Sequence, residues 1–179
     1  MQDNLIAVTG GSGFVGSHVV DALLGAGYEV RVIDPKKPYQ PEADWADVDM
    51  LDQDAVTDAV KGASAVFHLA AMADVNDIVA DPAGSVALNT LGVARVLEAG
   101  RRADTGRVIV SSTVWVYAAT HGDVVDETTL FDLETDRHLY VSEKIAAEMF
   151  CRDYATLFGR PYTCLRYGIP FGPRMRSDL

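Results

Sequence analysis

The sequence has little cysteine, few basic residues and no long apolar run. Its two cysteines, Cys151 and Cys164, form neither a CxxC pair nor a Cys/His cluster, which argues against a disulfide framework or a metal site. The 15 Lys and Arg against 26 Asp and Glu give a net charge of -11, which argues against nucleic acid as a partner. No stretch approaches the roughly 20 apolar residues that cross a bilayer, and the MQDN start lacks a basic signal segment. These absences predict a cytoplasmic protein with reduced thiols and no membrane contact.

Short apolar segments alternate along the chain with segments of helix length. Strands are predicted over residues 5–9, 28–33, 65–69, 107–110 and 162–166, with a weaker one near 45–48. Helices are predicted over residues 14–26, 53–61, 85–102 and 139–158. This alternation predicts an α/β fold, a Rossmann-type doubly wound parallel sheet with helices on both faces. The length of 179 residues favours one domain.

Three glycines, Gly10, Gly13 and Gly16, are spaced G-x-x-G-x-x-G between the first strand and the first helix. Glycine permits a tight turn, a close approach of the backbone to a pyrophosphate, and close packing of helix on strand. The helix start also offers unpaired N–H groups to phosphates. Asp34 ends the second strand, near the offset of a carboxylate that binds the adenosine ribose. The alternative is a glycine turn with an unrelated acidic residue, but the strand–turn–helix context favours a dinucleotide site.

The carboxylate of Asp34 favours NAD over NADP. It accepts hydrogen bonds from ribose hydroxyls and repels a 2′-phosphate. Lys36 and Lys37 lie close by in the sequence and would weaken this preference if their ammonium groups reached the site, although solvated loop lysines are the plainer interpretation. We therefore expect NAD as the cofactor.

Asp49 and Met50 follow the weak third strand, at the edge of the sheet where ligands bind in open α/β folds. The Asp49 carboxylate can accept a hydrogen bond from the adenine amino group. The alternative is a helix cap, a role for which Asp52 is better placed.

Leu69, Ala70 and Ala71 end the fourth strand, in the segment HLAA. Small side chains there would let the cofactor lie against the backbone. His68, just before them, is expected to be a packed histidine and not a ligand or a base.

The segment YVSEK places Tyr140 and Lys144 four residues apart, on one side of a predicted helix. A phenol titrates near pH 10, and a nearby ammonium or a positively charged nicotinamide lowers that pKa. Tyr140 would then exchange the hydroxyl proton while a hydride moves, and Lys144 would hold the nicotinamide ribose. The alternative is an exposed tyrosine on an amphipathic helix; the place of this pair after a dinucleotide half-fold favours chemistry.

The segment SSTVWVY follows the fifth strand. Thr113 is expected just past the carboxyl end of that strand, where its hydroxyl can bond to the substrate oxygen that Tyr140 protonates. Alternatively these hydroxyls satisfy backbone groups of the loop, which we expect for Ser111 and Ser112.

Together these residues resemble the extended short-chain dehydrogenase/reductases, in the NAD-dependent epimerase/dehydratase group. The resemblance covers essentially the whole chain and follows the family order: TGGSGFVG, Asp34, Asp49-Met50, HLAA, Asn89 in NTLG, SSTVWVY, YVSEK and LRYGIPFGPR. It implies that Thr113, Tyr140 and Lys144 are the catalytic residues, that Asn89 supports the site, and that Arg166 follows the sixth strand. It adds further candidates for the cofactor and substrate surfaces: Phe14, Val15 and Ser111 for the cofactor, Met72 and Tyr167 for the substrate.

Two departures from the family pattern bear on the reaction. Sugar 4,6-dehydratases carry an Asp-Glu pair after the threonine, and UDP-glucuronate decarboxylases keep a glutamate at the second position. Here the two positions hold Val114 and Trp115, neither of which can transfer a proton. Ile169 stands where the family usually has an asparagine that contacts the phosphate region of the substrate.

The resemblance therefore implies chemistry like that of UDP-galactose-4-epimerase: a nucleotide sugar is epimerised through a transient 4-keto intermediate, with hydride transfer to and from bound NAD. The alternatives are an NAD(P)-dependent reductase or dehydrogenase of a sugar or other carbonyl substrate, and a non-catalytic NAD-binding module. NAD favours the epimerase, because a tightly held cofactor is regenerated in each cycle.

Family members continue beyond the GP turn into a substrate-binding lobe, whereas this sequence stops at RMRSDL. We expect residues 1–179 to be the NAD-binding domain of a longer protein, with the C-terminal substrate lobe largely absent. The resemblance also implies a homodimer through the helices of 85–102 and 139–158. The alternative assigns their apolar stripes to the core of the chain.

Overall fold

The computed structural model describes residues 4–118, 124–131 and 138–175. It has six strands: β1 (Leu5–Thr9), β2 (Glu29–Ile33), β3 (Asp44–Ala46), β4 (Ala65–His68), β5 (Arg107–Thr113) and β6 (Tyr162–Tyr167). All pair in parallel in one sheet of order β3-β2-β1-β4-β5-β6. The strand β5 is longer than predicted, because Ser111–Thr113 keep pairing with β6 instead of leaving the sheet.

Helices cover both faces of this sheet, which confirms the predicted fold class. They are α1 (Phe14–Gly25), α2 (Gln53–Val60), α3 (Val75–Ala80), α4 (Pro82–Val86), α5 (Gly92–Arg102) and α6 (Leu139–Phe158). Ile6 and Val8 of β1 pack with Val20 of α1 on one face. Ala7 points to the other face, where it joins the larger core formed with α2, α5 and α6. Because both faces are buried, the strands are almost uninterrupted apolar runs.

The predicted helix over 85–102 is confirmed as helical backbone, although the helix begins earlier, at Pro82. It contains a π-helical turn at Ala87–Leu91, between α4 and α5, with Asn89 at its centre. The π-turn, the early start in α4 and the short helix α3 were not predicted, because these segments are too brief to show a periodic pattern. The signals of α3 and α4 lie in their caps: the side chains of Asp74 and Asp81 accept hydrogen bonds from Asn76 N and Gly84 N.

The strand order reverses between β1 and β4, since β1 leads outward to β2 while β4 leads the other way to β5. Ligands of doubly wound sheets bind at the carboxyl ends of the strands beside such a reversal. The glycine turn after β1, the HLAA segment after β4 and the end of β5 all meet there. The fold therefore gathers the predicted site residues at one edge.

The predicted dimer helices bury much of their apolar surface within the chain. Val93, Val96 and Leu97 of α5 belong to the larger core, whereas Leu157 of α6 is 71% exposed. The homodimer stays a prediction. No described helix is both long and apolar enough to span a membrane.

Candidate active site

The glycine turn after β1 is shaped by close contacts of backbone with backbone. Gly10 has a φ of 68°, and a Cβ there would lie 2.5 Å from the nitrogen of Ala70. A Cβ on Gly16 would lie 2.1 Å from the Gly10 carbonyl oxygen. Gly13 is different: it is exposed at the N-cap of α1, and its nearest neighbour would be 3.2 Å away. Packing thus requires Gly10 and Gly16, while Gly13 leaves bare backbone at a helix start, where a pyrophosphate can approach.

Asp34 stands directly after β2 with its carboxylate fixed by two backbone amides. Oδ2 accepts from Ser12 N at 3.1 Å and Oδ1 from Lys36 N at 2.8 Å. Lys37 is turned towards the indole of Trp45, with Nζ 5.2 Å from the ring centroid. This arrangement keeps the negative charge of Asp34 at the cleft and holds the Lys37 ammonium over an aromatic ring.

A cleft of about 490 Å³ opens beside Asp34. Its walls are formed by residues of four strand ends, among them Gly10, Asp34, Asp49, Met50, Leu69, Ala70 and Ala71. The Asp49 Oδ1 atom accepts from Leu51 N at 2.9 Å, so one carboxylate oxygen of Asp49 already stabilises the local turn. Asp52 caps α2 by accepting from Asp54 N and Ala55 N, both at 3.0 Å, as predicted.

A second cleft of about 660 Å³ shares Gly10, Gly13, Leu69 and Ala71 with the first. It extends from the glycine turn to the ends of β5 and β6. The other predicted residues line it: Phe14, Val15, Gly16, Met72, Ser111, Thr113, Tyr140, Lys144 and Tyr167. Every predicted site residue therefore lies on one of two joined clefts.

Lys144 is buried in the wall of this second cleft, with 3% of its surface exposed. Its ammonium donates to the carbonyl oxygen of Ser111 at 3.0 Å and to the Ser111 hydroxyl at 3.4 Å. Burial lowers the pKa of Lys144 to about 8, and the negative charge of Glu143 opposes that shift. Ser111 thus anchors the Lys144 ammonium as well as pairing within β5.

Tyr140 lies one helical turn before Lys144, and the Lys144 ammonium is 5.4 Å from its ring centroid. Burial raises the pKa of Tyr140, and the charge of Glu143 raises it further. The expected lowering of this pKa is not found in the structure, because both causes that act on the phenol, burial first and then the charge of Glu143, raise it.

Thr113 is the last residue of β5 and not, as predicted, a residue just past it. Its hydroxyl oxygen accepts from Trp115 N at 3.2 Å and so caps the short 3-10 helix Val114–Tyr117. The hydroxyl proton remains to be donated, since the bond to Trp115 uses only a lone pair. Thr113 can therefore donate to an oxygen in the cleft.

Ser112 also lines the second cleft, but its hydroxyl bonds to a buried ion pair. Its hydroxyl donates to Glu148, which also accepts from Arg166 Nε at 2.9 Å and Nη2 at 2.7 Å. Arg166 also donates to the Tyr117 hydroxyl. The resemblance predicted that Arg166 follows the sixth strand. In the structure it lies within β6. Sequence reasoning missed Glu148, because nothing local shows which residue a helix carboxylate will meet.

Asn89 holds the backbone of Met72 at the floor of the cleft. Its Oδ1 accepts from Met72 N and its Nδ2 donates to Met72 O, both at 2.8 Å. His68 is a packed histidine, as predicted: it is 1% exposed, its Nδ1 lies 2.7 Å from the Thr9 hydroxyl, and burial lowers its pKa to about 3. Within the described ranges, no three His, Cys, Asp or Glu side chains gather as a metal site.

Comparison with known proteins agrees with this geometry. Residues 6–178 match the NAD dependent epimerase/dehydratase family. The chain belongs to that family. A crystal structure of UDP-glucose 4-epimerase from Brucella ovis in complex with NAD superposes with a TM-score of 0.83 at 33% identity, over 92% of this chain and 52% of that one.

Two curated relatives of this chain differ in the reactions that their names give. The UDP-N-acetyl-alpha-D-glucosaminuronate decarboxylase of Bacillus cytotoxicus is 30% identical over 95% of this chain and 56% of its own length. The 3 beta-hydroxysteroid dehydrogenase/Delta 5-->4-isomerase of Mycobacterium tuberculosis is 32% identical over 81% of this chain and 41% of its own length. The chain thus spans about half the length of these relatives.

The family is NAD-dependent, which confirms the predicted cofactor, and the residues of this chain fit it. Bare backbone at Gly13 suits a pyrophosphate, and the fixed carboxylate of Asp34 suits ribose hydroxyls. In the second cleft, the Lys144 ammonium lines the wall beside Ser111 and is a donor of the kind that ribose hydroxyls can accept from.

Proposed function

We propose that this chain is the NAD-binding domain of a nucleotide-sugar epimerase that acts through a transient 4-keto intermediate. One observation carries the proposal: Thr113, Tyr140 and Lys144 come from two elements and line the same cleft, which continues into the glycine turn. A module that only binds NAD has no need of such a set.

NAD, when bound, supplies a hydride acceptor that is restored at the end of each cycle. Tyr140 takes the proton of the substrate hydroxyl and later returns it. Thr113 donates its hydroxyl proton to the same substrate oxygen and so orients it. Lys144, anchored on Ser111, supplies the fixed positive charge that favours a phenolate at Tyr140 once the cleft is filled.

Val114 and Trp115 favour epimerisation over elimination. Both are exposed at the end of β5, Trp115 by 51%, and Trp115 lines the cleft. Neither side chain can transfer a proton, so these two positions offer no acid or base for removing water. The same residues argue against the decarboxylase pattern, which needs a glutamate at the position of Trp115.

A second candidate is a dehydrogenase or reductase of another carbonyl substrate. The apolar substrate end of the cleft favours it: Trp115, Ile169 and Pro170 line that end, and Ile169 is 78% exposed. An isoleucine offers no hydrogen bond to a phosphate. The mycobacterial hydroxysteroid dehydrogenase shows that the family includes such substrates.

The test compares this chain with a version extended at its C-terminal end, by NAD retention and by sugar-dependent reduction of the nicotinamide. We expect both chains to retain NAD and the longer one to turn over UDP-sugars.

Tyr140→Phe should lower hydride transfer by about 10²- to 10⁴-fold with NAD retained, whereas the control Tyr28→Phe, at an exposed tyrosine, should not. Unchanged hydride transfer in Tyr140→Phe would contradict the proposal that Tyr140 transfers the proton. Turnover of a non-sugar alcohol in place of UDP-sugars would favour the second candidate.

A further inference from the structure

Beneath the catalytic residues lies a buried polar cluster that the proposed reaction does not use. Glu143 on α6 is 2% exposed. Its carboxylate accepts from the Ser85 hydroxyl at 2.8 and 3.0 Å and from Asn89 Nδ2 at 2.6 Å. Asn89 in turn holds both backbone groups of Met72. We call these four residues, Glu143, Ser85, Asn89 and Met72, the Glu143 network.

The network joins three parts of the fold. Ser85 lies on α4, Asn89 on the π-helical turn, and Glu143 on α6 between Tyr140 and Lys144. The π-turn inserts one residue into the helical register, a feature that is frequent at functional sites. Here it carries the amide that reaches both Met72 and Glu143. The active-site helix is thereby tied to the floor of the cleft.

A buried carboxylate is costly, at several kcal/mol, unless its partners compensate. The Ser85 and Asn89 hydrogen bonds supply part of that compensation. An uncharged glutamine of the same size could make hydrogen bonds at this position without the charge. The charge itself is thus the feature that calls for an explanation.

We propose that Glu143 is a positioning residue that fastens α6 to the Met72 backbone through Asn89 and sets a fixed negative charge beneath Tyr140 and Lys144. This inference rests on the proposed function only in naming Tyr140 and Lys144 as the reacting pair. Neighbouring helix positions point in different directions, so the charge of Glu143 acts on Lys144 through space.

The charge has one clear use. Burial lowers the pKa of Lys144 to about 8, so a further fall would leave its side chain uncharged at neutral pH. The negative charge of Glu143 opposes this lowering. The cost is that Glu143 also raises the pKa of Tyr140. Other ionisable groups beside this pair or on the same cleft include His68 on β4, Cys164 and Tyr167 on β6, Asp74 and Asp77 at the start of α3, Lys36 and Arg174.

The first experiment titrates the Tyr140 phenol by ultraviolet difference spectroscopy, subtracting the matching Tyr140→Phe chain in each background. Glu143→Gln keeps the shape and removes the charge, so the Tyr140 midpoint should fall by roughly one pH unit. Ser85→Ala is the matched control, because it removes the hydrogen bond to Glu143 but keeps the charge of Glu143. The Tyr140 midpoint should not move in this variant. An unchanged or higher midpoint in Glu143→Gln would overturn the proposal.

The second experiment keeps the proposal testable if Glu143→Gln does not fold. Glu143→Asp retains the charge but withdraws the carboxylate from Asn89. The Met72 amide, whose acceptor is Asn89, should then exchange its hydrogen about fivefold faster or more, the equivalent of one lost hydrogen bond, while the Tyr140 midpoint stays. Unchanged exchange would contradict the positioning role.

Both readouts need neither NAD nor substrate, so they separate two failures. If Tyr140→Phe keeps full hydride transfer, the proposed function fails whatever Glu143 shows. If Tyr140 is essential but neither Glu143 variant behaves as described, only the positioning role fails.

Discussion

The two ends of the joined clefts are built differently. The end around Gly10, Gly16 and Asp34, called the adenosine end after the group that we propose it binds, has no space for a Cβ at two positions: one on Gly16 would lie 2.1 Å from a carbonyl oxygen, and one on Gly10 would lie 2.5 Å from a backbone nitrogen. At the end around Tyr140 and Lys144, called the catalytic end after its proposed role, charged groups are buried instead. Lys144, Glu143 and Glu148 are 3%, 2% and 6% exposed, and each is held by polar partners. Shape thus defines one end and electrostatics the other, so the two ends should fail in different ways when mutated.

The largest effect should come from breaking the ion pair at the catalytic end. Arg166→Met leaves Glu148 buried without its bidentate partner, which should lower the free energy of unfolding by about 3–5 kcal/mol. Arg160→Met, which breaks the more exposed pair with Asp104, should cost less than about 1 kcal/mol. Denaturant unfolding measures both. Equal losses would contradict the view that buried charge holds this end together.

The second prediction breaks the adenosine end with a single methyl group. Gly16→Ala should lower the unfolding free energy by about 1–3 kcal/mol and abolish NAD retention, because the turn must open to fit the Cβ. Gly25→Ala makes the same change in the same helix where no atom lies within 4 Å, and should stabilise the chain by about 0.4–1 kcal/mol. Thermal unfolding and NAD binding test the pair. The same sign for both variants would refute the steric argument.

The third prediction removes a negative charge from the adenosine end, where close backbone packing is the main feature. Asp34→Asn should weaken NAD binding by about tenfold, since a hydrogen bond to a charged group contributes about 1.5–3 kcal/mol, and should narrow the preference over NADP. Asp47→Asn, at an exposed aspartate on the wall of the same cleft, controls for net charge. Calorimetric titration with both dinucleotides gives the answer. An unaltered NAD preference in Asp34→Asn would count against its ribose role.

The last prediction concerns His68, whose effect on stability is spread over several pH units. Its pKa is about 3 in the folded chain, against an ordinary value of 6.5. Between these values the unfolded chain binds a proton that the folded chain does not, so stability should fall as pH drops from about 6.5 towards 3. The slope contributed by His68 is about 1.4 kcal/mol per pH unit. His68→Gln should flatten the pH dependence of unfolding by that amount; identical slopes would exclude this role.

The sequence predicts the adenosine end better than the catalytic end, for a physical reason. Glycine spacing and Asp34 act within one βαβ unit, where local order is enough to place them. The bond from Ser85 to Glu143 joins residues 58 positions apart, and nothing local to either one shows that they meet. The π-turn at Asn89 was missed for the same reason, because a π-turn depends on what the inserted residue contacts. Strand positions were predictable because both faces of the sheet are buried.

The Thr9 hydroxyl gives a direction to the hydrogen bonds beneath the cleft. It accepts from the amides of Leu69 and Ala70, both at 3.3 Å, so its own proton points to Nδ1 of His68. This arrangement favours the tautomer that carries its proton on Nε2, an atom that has no hydrogen-bond partner among the described residues. The Leu69 amide also donates to the Thr9 carbonyl oxygen at 3.1 Å, so Thr9 holds the start of the HLAA segment with both its backbone and its side chain. The HLAA segment is thus held by hydrogen bonds to Thr9 and by close packing of Ala70 against Gly10.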